Sequence, residues 1–298
     1  MTVVYQYKSG NEHWLEVIYS LRSLMNLRID FDLAFAGDIP PYINPEGILH
    51  IQGGSDAGRY LDANHKIYAI CRDERVSDPF LLMYDDIYFN NRCAVDLTAT
   101  PFVFPPGGGK NAIIPEVIAN RKIENVASAD ELPGTGSKNW KESLFQTYKV
   151  LKGMELSTWD FETHLPRIVR KQQMLHVIRK FDLLNNPLQR WTCYFNYYLN
   201  VPTSFVFPPR GGKNADKPPL LLKDMPDLKA GFYGGWGTGD DLRYERLAEM
   251  LERKVIINHN DRGLSKVLKK YLTERFQEPS RWEMASIISQ LPKRYADA

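Results

Sequence analysis

Apolar positions along the first ninety residues alternate between the two spacings that distinguish strands from helices. Val3 to Tyr7 predicts a first strand, and Trp14, Val17, Ile18, Leu21, Leu24 and Met25 then recur at helical spacing behind Asn11, a residue suited to capping. Phe31 to Ala36 predicts the next strand, which Gly37-Asp38-Ile39-Pro40-Pro41 breaks. Ile48 to Ile51 predicts a short third strand and Ala63 to Cys71 a helix. The run Phe80 to Tyr84 is apolar throughout, as befits a strand covered on both faces. Strand and helix in this alternation predict an α/β nucleotide-binding opening.

Beyond that run the pattern loosens. Residues 98–137 are rich in Pro, Gly, Asn and Ser, a length of irregular chain that usually forms a lid, a binding loop or an insert. Trp140, Leu144, Tyr148 and Leu151 mark a helix, Met174 to Phe181 another and Leu188 to Leu199 an aromatic-rich third. The expected organisation is an α/β part over 1–135 and a mostly helical C-terminal part over 136–298, forming one continuous domain.

The apolar run ends at two adjacent carboxylates, Asp85 and Asp86. Ligands of open α/β sheets bind outside the carboxyl ends of strands, where paired acids can hold a divalent cation that neutralises a diphosphate. Adjacent acids in that position also form turns and cap helices, and neighbours in an extended segment face opposite ways. The pair therefore takes its meaning from the rest of the chain.

Composition narrows the field without naming a function. The 298 residues are 43% hydrophobic and 25% charged, as in an ordinary globular protein, and no apolar run has the length of a membrane-spanning helix. The strand-like Thr2-Val3-Val4-Tyr5 follows no basic leader, which predicts a cytoplasmic location and no membrane insertion. Cys71, Cys93 and Cys193 are too scattered for a metal knuckle or a disulfide framework. A net charge of +2 does not by itself mark a nucleic-acid binder.

Three further features could touch a ligand. Phe102-Val-Phe-Pro-Pro-Gly-Gly-Gly-Lys-Asn-Ala112 recurs as Phe205-Val-Phe-Pro-Pro-Arg-Gly-Gly-Lys-Asn-Ala215, two Pro-Gly surface loops whose Lys110 and Lys213 could flank an anion. Their spacing is not that of a P-loop. Gly231 to Gly239 carries Phe232, Tyr233 and Trp236, rings able to stack on a sugar or base or to pin the loop. Arg262, Lys266, Lys269, Lys270 and Arg275 share one side of a predicted helix, with Leu264, Val267, Leu268, Tyr271 and Leu272 on the other.

Four segments in order carry a resemblance. Asn11-Glu12 with Tyr19-Ser20-Leu21-Arg22-Ser23-Leu24 and Gly37 through Pro41 resemble the opening block of phage-encoded and bacterial glycosyltransferases related to the Stealth sugar-phosphate transferases of capsular polysaccharide. Phe80 to Phe89 resembles their acidic strand-end motif, with Tyr84 where the family often has Asn. Asp160-Phe-Glu-Thr-His-Leu-Pro166 is similar to their histidine block, and Gly263 to Glu283 to their closing segment. The two Phe-Val-Phe-Pro-Pro loops have no counterpart there, which leaves the acceptor open.

The resemblance implies a GT-A-like (Rossmann-like) nucleotide-sugar domain and transfer of a hexosyl or pentosyl group from a nucleotide-sugar donor to a hydroxyl. Asp86 and Asp85 are then the expected ligands of Mn²⁺ or Mg²⁺, with His164 as a third ligand or, alternatively, a histidine hydrogen-bonded in the core. Asp160 and Glu162 share a face of an extended segment expected to run beside the acidic strand, and either can serve as general base or instead pair with Arg167 or Arg170. Gln6, Lys8 and Ser9 after the first strand, Arg22 on the helix behind it, and Lys66 are the expected nucleotide contacts, together with Asp85. The alternatives are a Stealth-type transfer of sugar phosphate to a glycan, and a non-catalytic module that binds glycan or DNA. The acceptor ranges from a hydroxymethylated base in phage DNA to a glycan or small molecule, and a phage enzyme would act in the host cytoplasm.

Overall fold

A computed structural model describes residues 1–9, 14–91, 121–132, 137–162, 166–199, 230–233, 244–252, 256–259 and 264–288. The elements are β1 (Thr2–Tyr7), α1 (Trp14–Ser23), β2 (Asp32–Gly37), β3 (Ile48–Ile51), α2 (Arg59–Arg72), β4 (Phe80–Met83) and β5 (Ile87–Phe89) in the first ninety residues. They continue with β6 (Arg121–Lys122), α3 (Lys138–Gly153), β7 (Trp159–Asp160), β8 (Arg167–Val169), α4 (Lys171–Lys180) and α5 (Arg190–Leu199). The C-terminal elements are β9 (Ala230–Tyr233), α6 (Tyr244–Glu252), β10 (Ile256–His259), α7 (Lys266–Arg275) and α8 (Ala285–Ile288).

The protein is α/β, and its central sheet runs in the order β3-β2-β1-β4-β8. The first four strands are parallel, and β8 lies antiparallel against β4 with Leu81 opposite Ile168. Strand order reverses direction at β1, whose neighbours are β2 on one side and β4 on the other. The carboxyl ends of β1 and β4 therefore flank the crevice where a sheet of this kind takes its ligand. Helices cover the sheet, so the four side chains of β4 are all inaccessible to solvent. Burying each stabilises the fold by about 1.5–3 kcal/mol.

Only Tyr84, Asp85 and Asp86 separate β4 from β5, and there the chain leaves the central sheet for a second one, ordered β5-β10-β9. β10 is antiparallel to β5 and parallel to β9. The C-terminal third therefore contributes strands as well as helices. β8 joins the central sheet and β10 joins β5, so the segments on either side of residue 135 share both sheets.

The extended segment carrying Asp160 and Glu162 does not run beside β4. β7 pairs with β6, with Arg121 opposite Asp160, and the two neighbours of β4 are β1 and β8. The reason lies in α5, whose buried Thr192 and Asn196, one turn apart, take the segment's backbone. Asn196 Oδ1 accepts from Trp159 N–H (3.0 Å) and Ser157 Oγ (2.7 Å), and Thr192 Oγ1 accepts from Phe161 N–H (3.1 Å). Buried backbone groups must be paired, and here a helix supplies the partners.

Candidate functional site

The acid turn closes with a long hydrogen bond from Ile87 N–H to Tyr84 O (3.4 Å), and side chains beneath it hold it in place. Ser20 on α1 is buried and donates to Ile87 O at 2.7 Å, while its Oγ lies 2.8 Å from the hydroxyl of Tyr5 in β1. With Ser20 donating to the carbonyl, Tyr5 donates to Ser20. One hydroxyl thus ties together β1, α1 and the start of β5. Asp86 is 9% exposed and Asp85 half-buried, both just past the carboxyl end of β4.

Tyrosines back this turn. Burial pushes the phenols of Tyr5, Tyr7 and Tyr42 up, and Asp85 adds to each shift from within electrostatic reach. All three stay protonated through the physiological range. One layer deeper, Tyr88 OH lies 2.8 Å from His259 Nε2, which stands 3.7 Å from the carboxylate of Glu16. These three side chains are buried, and the register that sets Asn258 opposite Ile87 brings β10 up to the acid turn. Sequence reasoning missed this trio, because Ile256-Ile257 is too short an apolar signal to reveal a strand.

Several expected nucleotide contacts gather at the same edge of the sheet. Gln6, near the end of β1, donates to Ala63 O and accepts from Arg190 Nη2 at 2.9 Å. Lys8 reaches Asp56 (3.1 Å) on the surface, and Ser9 N–H donates to Asp38 at 2.6 Å. That backbone hydrogen bond is the main cause that holds the Asp38 carboxyl below its ordinary value. Lys66 is buried against Asp62 (2.8 Å) at the end of β2. Gly37 there has φ +95°, and a Cβ on it would meet Tyr7 O at 2.3 Å and Lys66 Cε at 2.5 Å. Only glycine allows β1, β2 and Lys66 to close up in this way.

Arg22 is occupied elsewhere. Its Nε and Nη2 fork onto Glu283 (2.9 and 2.6 Å) and Nη1 donates to Phe276 O (2.9 Å), so the guanidinium clamps α1 to the C-terminal segment. Asp160 and Glu162 are also engaged by backbone. Asp160 Oδ1 accepts from Glu162 N–H (3.0 Å), and Glu162 Oε1 accepts from Trp191 and Thr192 N–H (3.0 and 3.2 Å). Glu162 thereby caps the exposed N–H groups that begin α5. Burial raises its carboxyl above the ordinary value, and Arg190 opposes the rise. His164 lies outside the described residues, as do Lys110, Lys213, Trp236 and Arg262.

Two arginines stand around this cap, of which sequence reasoning passed over Arg190. Arg167 on β8 is 2% exposed, donates to Phe161 O (3.0 Å) and lies over the rings of Trp191 and Phe195. Arg190 opens α5 and reaches both Gln6 and the hydroxyl of Tyr84 (3.1 Å), which also accepts from Trp191 Nε1 (2.9 Å). The carboxyl ends of β1 and β4 are thus bridged by a cation beside the acid turn.

Among the described residues no group of three or more His, Cys, Asp or Glu side chains stands ready to hold a metal ion. The donors at the turn are two carboxylates. A magnesium-type site is commonly built from one or two carboxylates completed by substrate phosphates and water, and the pair fits that requirement.

No protein-family model matches the sequence, and no curated protein does. Fourteen solved chains match in structure. One is the apo form of the glycosyltransferase GlyE of Streptococcus pneumoniae TIGR4, at 13% identity and a TM-score of 0.35, covering 99% of this chain. A second structure of GlyE gives 13% identity and a TM-score of 0.33 over 97% of this chain. The chain spans 63% of the GlyE chain in both. The likeness is loose.

Proposed function

We propose that this protein is a divalent-metal-dependent glycosyltransferase that binds a nucleotide sugar at the carboxyl ends of β1 and β4 and transfers its sugar to a hydroxyl. The observation that carries the reading is the acid turn. Asp85 and Asp86 lie at the crevice beside the β1 end, where a parallel sheet in this order takes a nucleotide. Hydrogen-bonded tyrosine and serine hydroxyls fix the turn before any ligand arrives, which reduces reorganisation on binding.

Asp86 and Asp85 would hold Mn²⁺ or Mg²⁺, with His164 as a proposed third ligand. When bound, such an ion acts as a Lewis acid on the diphosphate, a contribution of several kcal/mol that corresponds to roughly thousands-fold in rate. Gln6, Lys8, Ser9 and Lys66 line the edge on which the nucleoside would rest. Glu162, whose carboxyl burial raises, is the proposed base for the acceptor hydroxyl, with Asp160 orienting the backbone beside it.

A hydroxyl on DNA, glycan or a small molecule would serve as acceptor. On α7, Arg275 already bonds to Asn90 O and Asn91, and Lys270 lies over the Tyr244 ring, so part of this basic face serves the fold. A thermal-shift screen of nucleotide sugars with and without manganese tests the reading. Stabilisation by one donor only in the presence of Mn²⁺, and its loss in Asp86→Asn, is the expected outcome. No metal-dependent response to any nucleotide sugar would overturn it. Product mass then separates transfer of a sugar from transfer of a sugar phosphate, and steep salt dependence of duplex binding would identify DNA as the acceptor.

A further inference from the structure

Arg190 is a charge kept in an unusual setting. Its residue is 8% exposed, yet Nη2 makes its two hydrogen bonds to neutral acceptors, Gln6 Oε1 and Tyr84 Oη. Its Nε is buried with no hydrogen-bond partner. The guanidinium rests over the Trp191 ring at 5.4 Å, a contact that favours a cation without neutralising it. Glu162 is within electrostatic reach, but its Oε1 is taken up by the N–H groups of Trp191 and Thr192. A buried cation whose N–H donates to nothing is costly, and a group of this kind beside a ligand crevice calls for an explanation.

Its location says what would complete it. Gln6 belongs to β1 and Tyr84 directly precedes Asp85, so the guanidinium bridges the two strand ends that flank the crevice. An arginine presents several N–H donors in a plane that matches the oxygens of a phosphate. We propose that Arg190 is a ligand of the donor's diphosphate, its guanidinium held beside the acid turn by Gln6, Tyr84 and Trp191 with N–H donors left over for phosphate oxygens. This inference rests on the nucleotide-sugar reading and names the residue that meets the negative charge from the protein side, while Asp85 and Asp86 meet it through a cation.

The arrangement makes two demands on phosphate binding. Affinity should persist, though weakened, when the metal is chelated, because the guanidinium remains. It should also follow the number of phosphates in the ligand more than the identity of the base.

Calorimetric titration of the full chain with inorganic pyrophosphate and with a panel of nucleoside diphosphates, in Mn²⁺ and again in EDTA, tests this. The wild type is expected to bind pyrophosphate in both buffers, and Arg190→Gln to lose about tenfold or more in each, as expected for a charged hydrogen-bonded pair. Arg190→Lys, which keeps the charge but not the planar fork, should fall between the two. Should Arg190→Gln fail to fold by its thermal transition, Arg190→Lys decides the matter through the same titration. Equal pyrophosphate affinity in wild type and the folded variant, or no binding by the wild type, overturns the proposal. Pyrophosphate bound through Arg190 while no nucleoside diphosphate binds better would keep the anion site and overturn the nucleotide-sugar reading.

Discussion

At the scale of single residues, Glu162 ties the candidate chemistry to stability. Burial raises its carboxyl above the ordinary 4.5, with Arg190 and the Thr192 N–H acting in the opposite direction. A carboxyl with a raised folded pKa binds more protons in the native state than in the unfolded one, so its contribution to stability falls as pH rises from about 4.5 through the folded value. Glu162→Gln retains an oxygen for the N–H groups of Trp191 and Thr192 but does not titrate. Its melting temperature relative to wild type should be constant below pH 4.5 and climb above it, and a difference flat in pH would refute the assignment. Residues of this kind divide cleanly by how far the sequence announces them. Asp85 and Asp86 could be read because an apolar run stops at them. Arg190 could not, since nothing in its neighbours says that a strand end and a ring will bury an arginine.

At the scale of elements, the alternation of strand and helix as far as β4 was readable because its short strands are apolar runs bounded by turn residues and its helices are long enough to show their period. The elements at β5, β7, β8 and β10 have two to four residues, too few for a period, and their existence depends on partners far along the chain. The same dependence explains Arg22, which its position on α1 made a phosphate candidate and which pairs across the fold with Glu283 at 2.6 Å. The Glu283 side chain is 1% exposed and the Arg22 side chain 16%, so removing the arginine strands a buried carboxylate. Arg22→Ala should lose about 2–4 kcal/mol in urea denaturation, somewhat below a fully buried pair because Arg22 is partly solvated. A loss below about 1 kcal/mol would mean that water already screens the pair.

At the scale of the whole molecule, the acid turn is both the candidate metal site and the only covalent step from β4 in the central sheet to β5 in the second. Ser20 fixes that step by joining Tyr5 of β1 to the carbonyl of Ile87 through two buried hydrogen bonds, with Tyr84 O a longer contact at 3.3 Å. Ser20→Ala leaves Ile87 O and the Tyr5 hydroxyl without this partner, which should cost about 1–3 kcal/mol. Tyr5→Phe removes one hydrogen bond and leaves the tie between Ser20 and Ile87, so it should cost less. If the turn is a preorganised metal site, Ser20→Ala should also raise the manganese concentration needed for half-maximal donor hydrolysis, measured at a temperature where the variant is fully folded, while Tyr5→Phe moves it little. A variant that is merely less stable would keep the wild-type manganese dependence, and that result would separate the joint between the sheets from the metal site proposed there. The two properties are expected to fail together, because one serine holds both sheets to the two carboxylates between them.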